Sequence, residues 1–225
     1  MAAVFITGTG TDIGKTFIAA ALIRHLRNTG KAVDAFKPVV SGFDAAQAAA
    51  TDPGRLLAAL GQEVTAEALD RMSPWRFSAP LSPDLAARAE NRSIDFTALV
   101  DFSRRVAYGR GTVIIEGVGG VMVPLDANRT VLDWISAVRV PVLLVAGSYL
   151  GTISHTLTAL HVLAQRNVDI AGVVVSESPA PGASLADTVV TIARFAVPIE
   201  VIGLPRLLPG STPPATFLSS LERLL

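Results

Sequence analysis

The sequence predicts an α/β fold of three layers: a mostly parallel sheet with helices on both faces. Three observations carry this. Short runs rich in Val and Ile recur along the chain, nearly continuous rather than alternating, as in strands buried on both faces. Stretches with apolar residues at helical spacing lie between them. A glycine-rich loop joins the first run to the first such stretch, at the carboxyl edge where ligands of open α/β sheets collect.

The expected strands are residues 3–7, 32–36, 111–115, 141–146, 170–175 and 199–202. The first expected helix, 16–26, sets Phe17, Ala20, Ala21 and Ile23 on one stripe, with Gly30 as the residue that ends it. Segments 154–165 and 184–195 read the same way. Between 41 and 110 no strand is apparent. Helices open there at Asp52-Pro53, near Ser82-Pro83 and after Asp95, so about 43–110 reads as a helical insertion in a single domain spanning 1–225. Residues 178–182 and 205–214 are loops. Thr212-Pro213 reads as the N-cap and first residue of a last helix ending at Leu225, whose apolar stripe (Phe217, Leu218, Leu221, Leu224) suits core packing.

Composition removes whole classes of function. Of 225 residues half are apolar and 17% charged, too apolar for a disordered chain. Nineteen basic residues balance nineteen acidic ones, which gives no general electrostatic reason to bind nucleic acid or an anionic membrane. The absence of cysteine excludes disulfides, thiolate zinc sites and cysteine nucleophiles. Three histidines, His25, His155 and His161, have no metal-ligand spacing. No apolar run approaches the ~20 residues of a membrane span, and the first residues lack the basic stretch of a signal peptide. A soluble, cytoplasmic protein is the expectation.

The loop reads Thr7-Gly8-Thr9-Gly10-Thr11-Asp12-Ile13-Gly14-Lys15-Thr16. Glycines let backbone N–H groups turn inward, and the helix N-terminus adds its positive end, so the loop suits a phosphate. Lys15 is placed to reach the β- and γ-phosphates and Thr16 to ligate Mg²⁺. The strict pattern has glycine where Thr9 stands. Gly8 makes this a variant one residue longer, and Gly8, Gly10 and Gly14 miss the dinucleotide fingerprint by one position. The fold class is therefore P-loop NTPase-like, and the loop reads as a nucleoside triphosphate site with Mg²⁺.

Glu116 ends an apolar strand ahead of Gly117-Val118-Gly119-Gly120, where a carboxylate near the metal belongs. Lys37 ends the second strand and either points into the same crevice as Lys15 or sits in solvent. Asp52, just before Pro53, is either a helix cap or a metal ligand. Asp12 either caps the first helix or faces the substrate.

Together these segments resemble the dethiobiotin synthetase family. The resemblance rests on residues 7–16, on Lys37-Pro38-Val39-Val40-Ser41-Gly42, on 116–120, and on Leu150-Gly151-Thr152-Ile153-Ser154-His155. It implies a homodimer that joins 7,8-diaminononanoate and CO₂ at the expense of ATP, through a carbamate phosphorylated by the nucleotide. It assigns Lys15, Lys37 and Thr11 to catalysis and Thr16, Asp52 and Glu116 to Mg²⁺. The nucleotide is assigned residues 10–16, Glu116, Gly119, Ser176, Glu177, Gly203, Leu204 and Pro205. Thr11, Lys37 and Ser41 are assigned to the diamine, with Gly151, Thr152, Ile153 and Ser154 holding its carboxylate from the neighbouring subunit. Where the family carries Asn-Asp to read adenine, this chain has Ser176-Glu177. The competing reading is a P-loop ATPase switch of the chromosome- or septum-positioning kind, but the extra lysine of its signature loop is missing here.

Overall fold

The computed structural model describes residues 2–208 and 210–225; Met1, and Pro209 within the 205–214 loop, lie outside the described residues. The strands are β1 (Ala2–Gly8), β2 (Val33–Phe36), β3 (Val39–Ser41), β4 (Trp75–Phe77), β5 (Thr112–Glu116), β6 (Val142–Ala146), β7 (Ile170–Ser176) and β8 (Val201–Leu204). The helices are α1 (Lys15–Asn28), α2 (Asp52–Leu60), α3 (Ala66–Met72), α4 (Pro83–Ala89), α5 (Phe96–Ala107), α6 (Val131–Val138), α7 (Thr152–Gln165), α8 (Leu185–Phe195) and α9 (Ala215–Arg223).

Six strands form one all-parallel sheet in the order β2-β5-β1-β6-β7-β8. These are the six expected strands, each within two residues of its expected ends. β1 lies between β5 and β6, so the loop that follows it opens where the strand order diverges. Alternate side chains serve opposite faces. Phe5, Ile115, Leu144 and Val175 pack toward α5, α6, α7 and α8. Val4, Ile6, Ile114 and Val145 pack toward α1, α2, α3 and α9. Burial on both faces is what the continuous Val/Ile runs require.

In the first layer Trp134 meets Phe5 edge to face at 4.8 Å, an arrangement worth about 0.5–1.5 kcal/mol beyond the area buried. Its indole N–H donates to Ser103 Oγ at 2.9 Å, which in turn donates to the Leu99 carbonyl, so no polar atom of this cluster is stranded. In the second layer α1 ends as expected at Gly30 (φ 76°), with Gly30 N–H on the Arg27 carbonyl and Lys31 N–H on the Leu26 carbonyl.

Three expectations need correction. The 43–110 segment is not free of strands, for β4 pairs with β3 as a separate parallel ribbon beyond the end of β2. Three residues are too few to show a period. Helices α3 and α6 also add to the expected set. The last helix begins at Ala215 and ends at Arg223, because Pro213 precedes Pro214 and a residue before proline is pushed into extended backbone.

Candidate active site

The loop after β1 is shaped by backbone geometry. Gly14 has φ 99°, and a Cβ there would lie 3.1 Å from Ser176 Oγ, so only glycine meets both demands. Asp12, at φ 57°, is a second left-handed position. The loop is braced from both sides: Thr9 N–H donates to the Val145 carbonyl and Val121 N–H to the Gly8 carbonyl, each at 3.0 Å. Lys15 is buried and donates from Nζ to the Gly10 carbonyl at 2.5 Å. Burial and the neighbouring Lys37 lower its pKa to about 8 despite nearby carboxylates.

Glu116 ends β5 with no solvent exposure. Its Oε1 accepts from Thr16 Oγ1 at 2.7 Å and from Lys37 Nζ at 2.6 Å. The Lys37 ammonium also donates to the Gly117 carbonyl at 3.0 Å and lies 3.2 Å from Asp52 Oδ2. Burial works against its charge, but Glu116 and Asp52 outweigh that and hold Lys37 above the usual lysine value. The open question of Lys37 is thereby answered: it is 3% exposed and faces the crevice.

Asp52 is not a helix cap. Thr51 occupies the cap position and Asp52 the first helical residue, its carboxylate turned to Lys37. Although burial opposes it, Lys37 and the Thr16 hydroxyl hold Asp52 below the usual carboxylate value. Gly54 fixes this turn, since a Cβ there would collide with the Ala48 carbonyl of the preceding 3-10 segment (Ala45–Ala50).

The donors here suit Mg²⁺. Thr16, Glu116 and Asp52 are hard oxygen groups gathered around Lys37, and Glu116 Oε2 is a buried carboxylate oxygen with no hydrogen-bond partner. Such an atom costs about 1–3 kcal/mol or more unless something satisfies it. Among the described residues no three His, Cys, Asp or Glu side chains cluster as a full metal cage. Mg²⁺ is commonly held by one or two carboxylates and substrate phosphates, keeping several waters, and the donors here number two carboxylates and a hydroxyl.

A cleft of about 850 Å³ is lined by Thr11, Asp12, Gly14, Lys15, Thr16, Lys37, Ser41, Asp52 and Gly119 among others. An adjoining one of about 390 Å³ is lined by Ile13, Ser176, Glu177, Leu204 and Pro205. They share Asp12, Gly14 and Phe17. Gly203 lies behind the second cleft, filled over by Val189 and Leu185, and lines neither. Gly151, Thr152, Ile153 and Ser154 also line neither cleft of this chain: Gly151 caps α7, and Thr152 is buried with its hydroxyl on the Gly147 carbonyl. Sequence reading missed Arg55 and the 80–83 turn of the first cleft. Arg55 had a signal, lying one helical turn after Asp52.

A phosphate loop before α1, with an acidic strand end holding the loop's threonine, defines a P-loop nucleotide-binding α/β protein. A family model described as an AAA domain matches residues 2–214. The chain is 54% identical to the ATP-dependent dethiobiotin synthetase BioD of Caulobacter sp. (strain K31) over 79% of its own length and 77% of that protein's. It is 46% identical to that of Acidiphilium cryptum (strain JF-5) over 95% and 91%. The chain belongs to the dethiobiotin synthetase family. In fold alone it also resembles the MinC:MinD cell division protein complex of Aquifex aeolicus (TM-score 0.54, 12% identity, covering all of this chain and 86% of that one).

Proposed function

We propose that the chain is a cytoplasmic, homodimeric, Mg²⁺-dependent ligase that makes dethiobiotin from 7,8-diaminononanoate, CO₂ and ATP. The observation that carries this reading is Lys37, brought by the 37–42 segment into the same cleft as Lys15 of the phosphate loop. In the reaction an amine of the substrate takes up CO₂ as a carbamate. A carbamate oxygen attacks the γ-phosphorus and ADP leaves. The second amine then attacks the carbamate carbon, the carbon–oxygen bond to phosphate breaks, and the ureido ring closes.

The protein's task is to position these groups and neutralise their charge. Residues 10–16 cradle the triphosphate, with Lys15 on its β- and γ-oxygens. Lys37 faces the bridging region, where charge moves during transfer. Thr16, Glu116 and Asp52 would hold Mg²⁺, which supplies further charge neutralisation on the phosphates. Thr11 and Ser41 line the diamine side. Ser176, Glu177, Leu204 and Pro205 surround the base.

The turn carrying Gly151, Thr152, Ile153 and Ser154 serves the carboxylate of a substrate bound in the other subunit. The support is that none of the four lines either cleft of this chain, and that Leu150 beside them is exposed. The test is mass spectrometry of products formed from the diamine, bicarbonate and ATP. Dethiobiotin with one ADP per product supports the reading; ATP hydrolysis that ignores the diamine would favour the ATPase switch.

A further inference from the structure

Arg55 stands apart from the other cations of the first cleft. Lys15 is turned onto its own loop, and Lys37 is held by Glu116, Gly117 and Asp52. Arg55 lines the same cleft from α2, one turn beyond Asp52. Its guanidinium has no hydrogen bond or ion pair within 4 Å among the described residues, although it lies near enough to Asp52 to help hold that carboxyl low. The same cleft is also lined by Pro80, Leu81, Ser82 and Pro83, none of which carries a charge to pair with it. An arginine is thus left with its planar fork free at the mouth of a cleft that already commits its lysines.

We infer that Arg55 is an oxyanion receptor of this cleft, closing on a carboxylate or phosphoryl group of bound substrate with paired N–H donors. The inference rests on the proposed ligase reading, under which two such groups enter: the reacting phosphoryl and carbamate oxygens, and the carboxylate end of the diamine, which Arg55 would hold together with the 151–154 turn of the other subunit. Both match the guanidinium fork, whereas a lysine offers only a point charge.

Arg55 is exposed, so Arg55→Gln and Arg55→Lys should fold; equal melting temperatures with wild type check this. Steady-state kinetics then use the diamine and an analogue lacking its carboxylate, beside calorimetric titration of ATP. If the fork holds the carboxylate, Arg55→Gln raises KM for the diamine roughly tenfold or more and leaves the analogue unchanged. If it holds the phosphoryl or carbamate oxygens, kcat or ATP affinity falls by a similar factor with both amines. Either result supports the receptor role, with Arg55→Lys intermediate because charge survives and the fork does not. All constants within twofold of wild type would overturn it. Failure of the wild type to consume the diamine would instead strike the ligase reading, and an unchanged ATP dissociation constant in Arg55→Gln would then overturn the receptor role.

Discussion

Lys37 Nζ meets Glu116 Oε1 at 2.6 Å, joining the ends of β2 and β5 across the carboxyl edge of the sheet. Both groups are buried. Removing one partner of a buried pair typically costs about 3–5 kcal/mol, since the other charge is left uncompensated. Lys37→Gln should therefore lower stability by about that much, while the double variant with Glu116→Gln recovers part of the loss. Denaturant unfolding of the four proteins checks the coupling, and strictly additive costs would contradict it.

Glu116→Gln alone keeps the volume and an acceptor for Thr16 and Lys37, so it should fold. Turnover should fall by roughly 10²–10³, as when a transition-state charge contact is lost. Titrating activity with Mg²⁺ is the check. Full turnover at saturating metal would remove Glu116 from the ion.

Because Asp52 is not the cap of α2, Asp52→Asn should leave that helix intact. Its effect falls on the ion and on Lys37. The Mg²⁺ concentration for half-maximal activity should rise by roughly tenfold or more. An unchanged metal requirement would leave Asp52 as a partner of Lys37 only.

The second cleft, proposed for the base, offers few side chains that tell one base from another. Ser176 Oγ crowds Gly14, and a Glu177 carboxylate oxygen accepts from Arg206 N–H at 2.8 Å. Neither is the two-faced amide that pairs donor and acceptor with one base edge. Competition among ATP, CTP, GTP and UTP should show preferences below about a hundredfold, far from the ~10⁴ of a site built to pair fully with its ligand. A larger ATP preference would place the reading in backbone groups around Leu204 and Pro205.

Acid stability follows from Asp133, which closes the capping box of α6 by accepting from Thr130 N–H at 2.8 Å and from its hydroxyl at 3.0 Å. Burial alone would raise its pKa. The Thr130 donors and Arg166 overcome that and hold it below the ordinary 3.8. A carboxyl lowered in the folded state adds stability above its unfolded value and loses it as pH falls through the folded one. Asp133→Asn should thus be less stable at neutral pH, with the gap closing below about pH 4. Unfolding midpoints of both proteins between pH 3 and 7 measure this.

What was legible in the sequence was what burial and strand ends impose. The six main strands show as Val/Ile runs because both of their faces are covered. Lys37 and Glu116 show because each is a charge directly after an apolar strand. β3 and β4 have three residues each, too few for a period. α6 has only eight residues, yet its buried stripe (Val131, Leu132, Trp134, Ile135 and Val138) keeps helical spacing and was legible in the sequence. Asp52 reads equally as a cap until the backbone shows it one residue inside α2. Arg55, Leu81 and Pro83 line one cleft although they lie far apart in sequence, a juxtaposition no local pattern encodes.

The central claim is that Lys37 acts on the phosphoryl transfer rather than on nucleotide binding. The most direct measurement sets calorimetric ATP affinity beside diamine-dependent turnover for wild type and Lys37→Gln, at a temperature where both are folded. The expected result is an ATP dissociation constant within a few-fold of wild type, with kcat and kcat/KM for the diamine reduced alike, as for a contact made mainly in the transition state. An unchanged kcat, or a loss confined to ATP affinity, would contradict it.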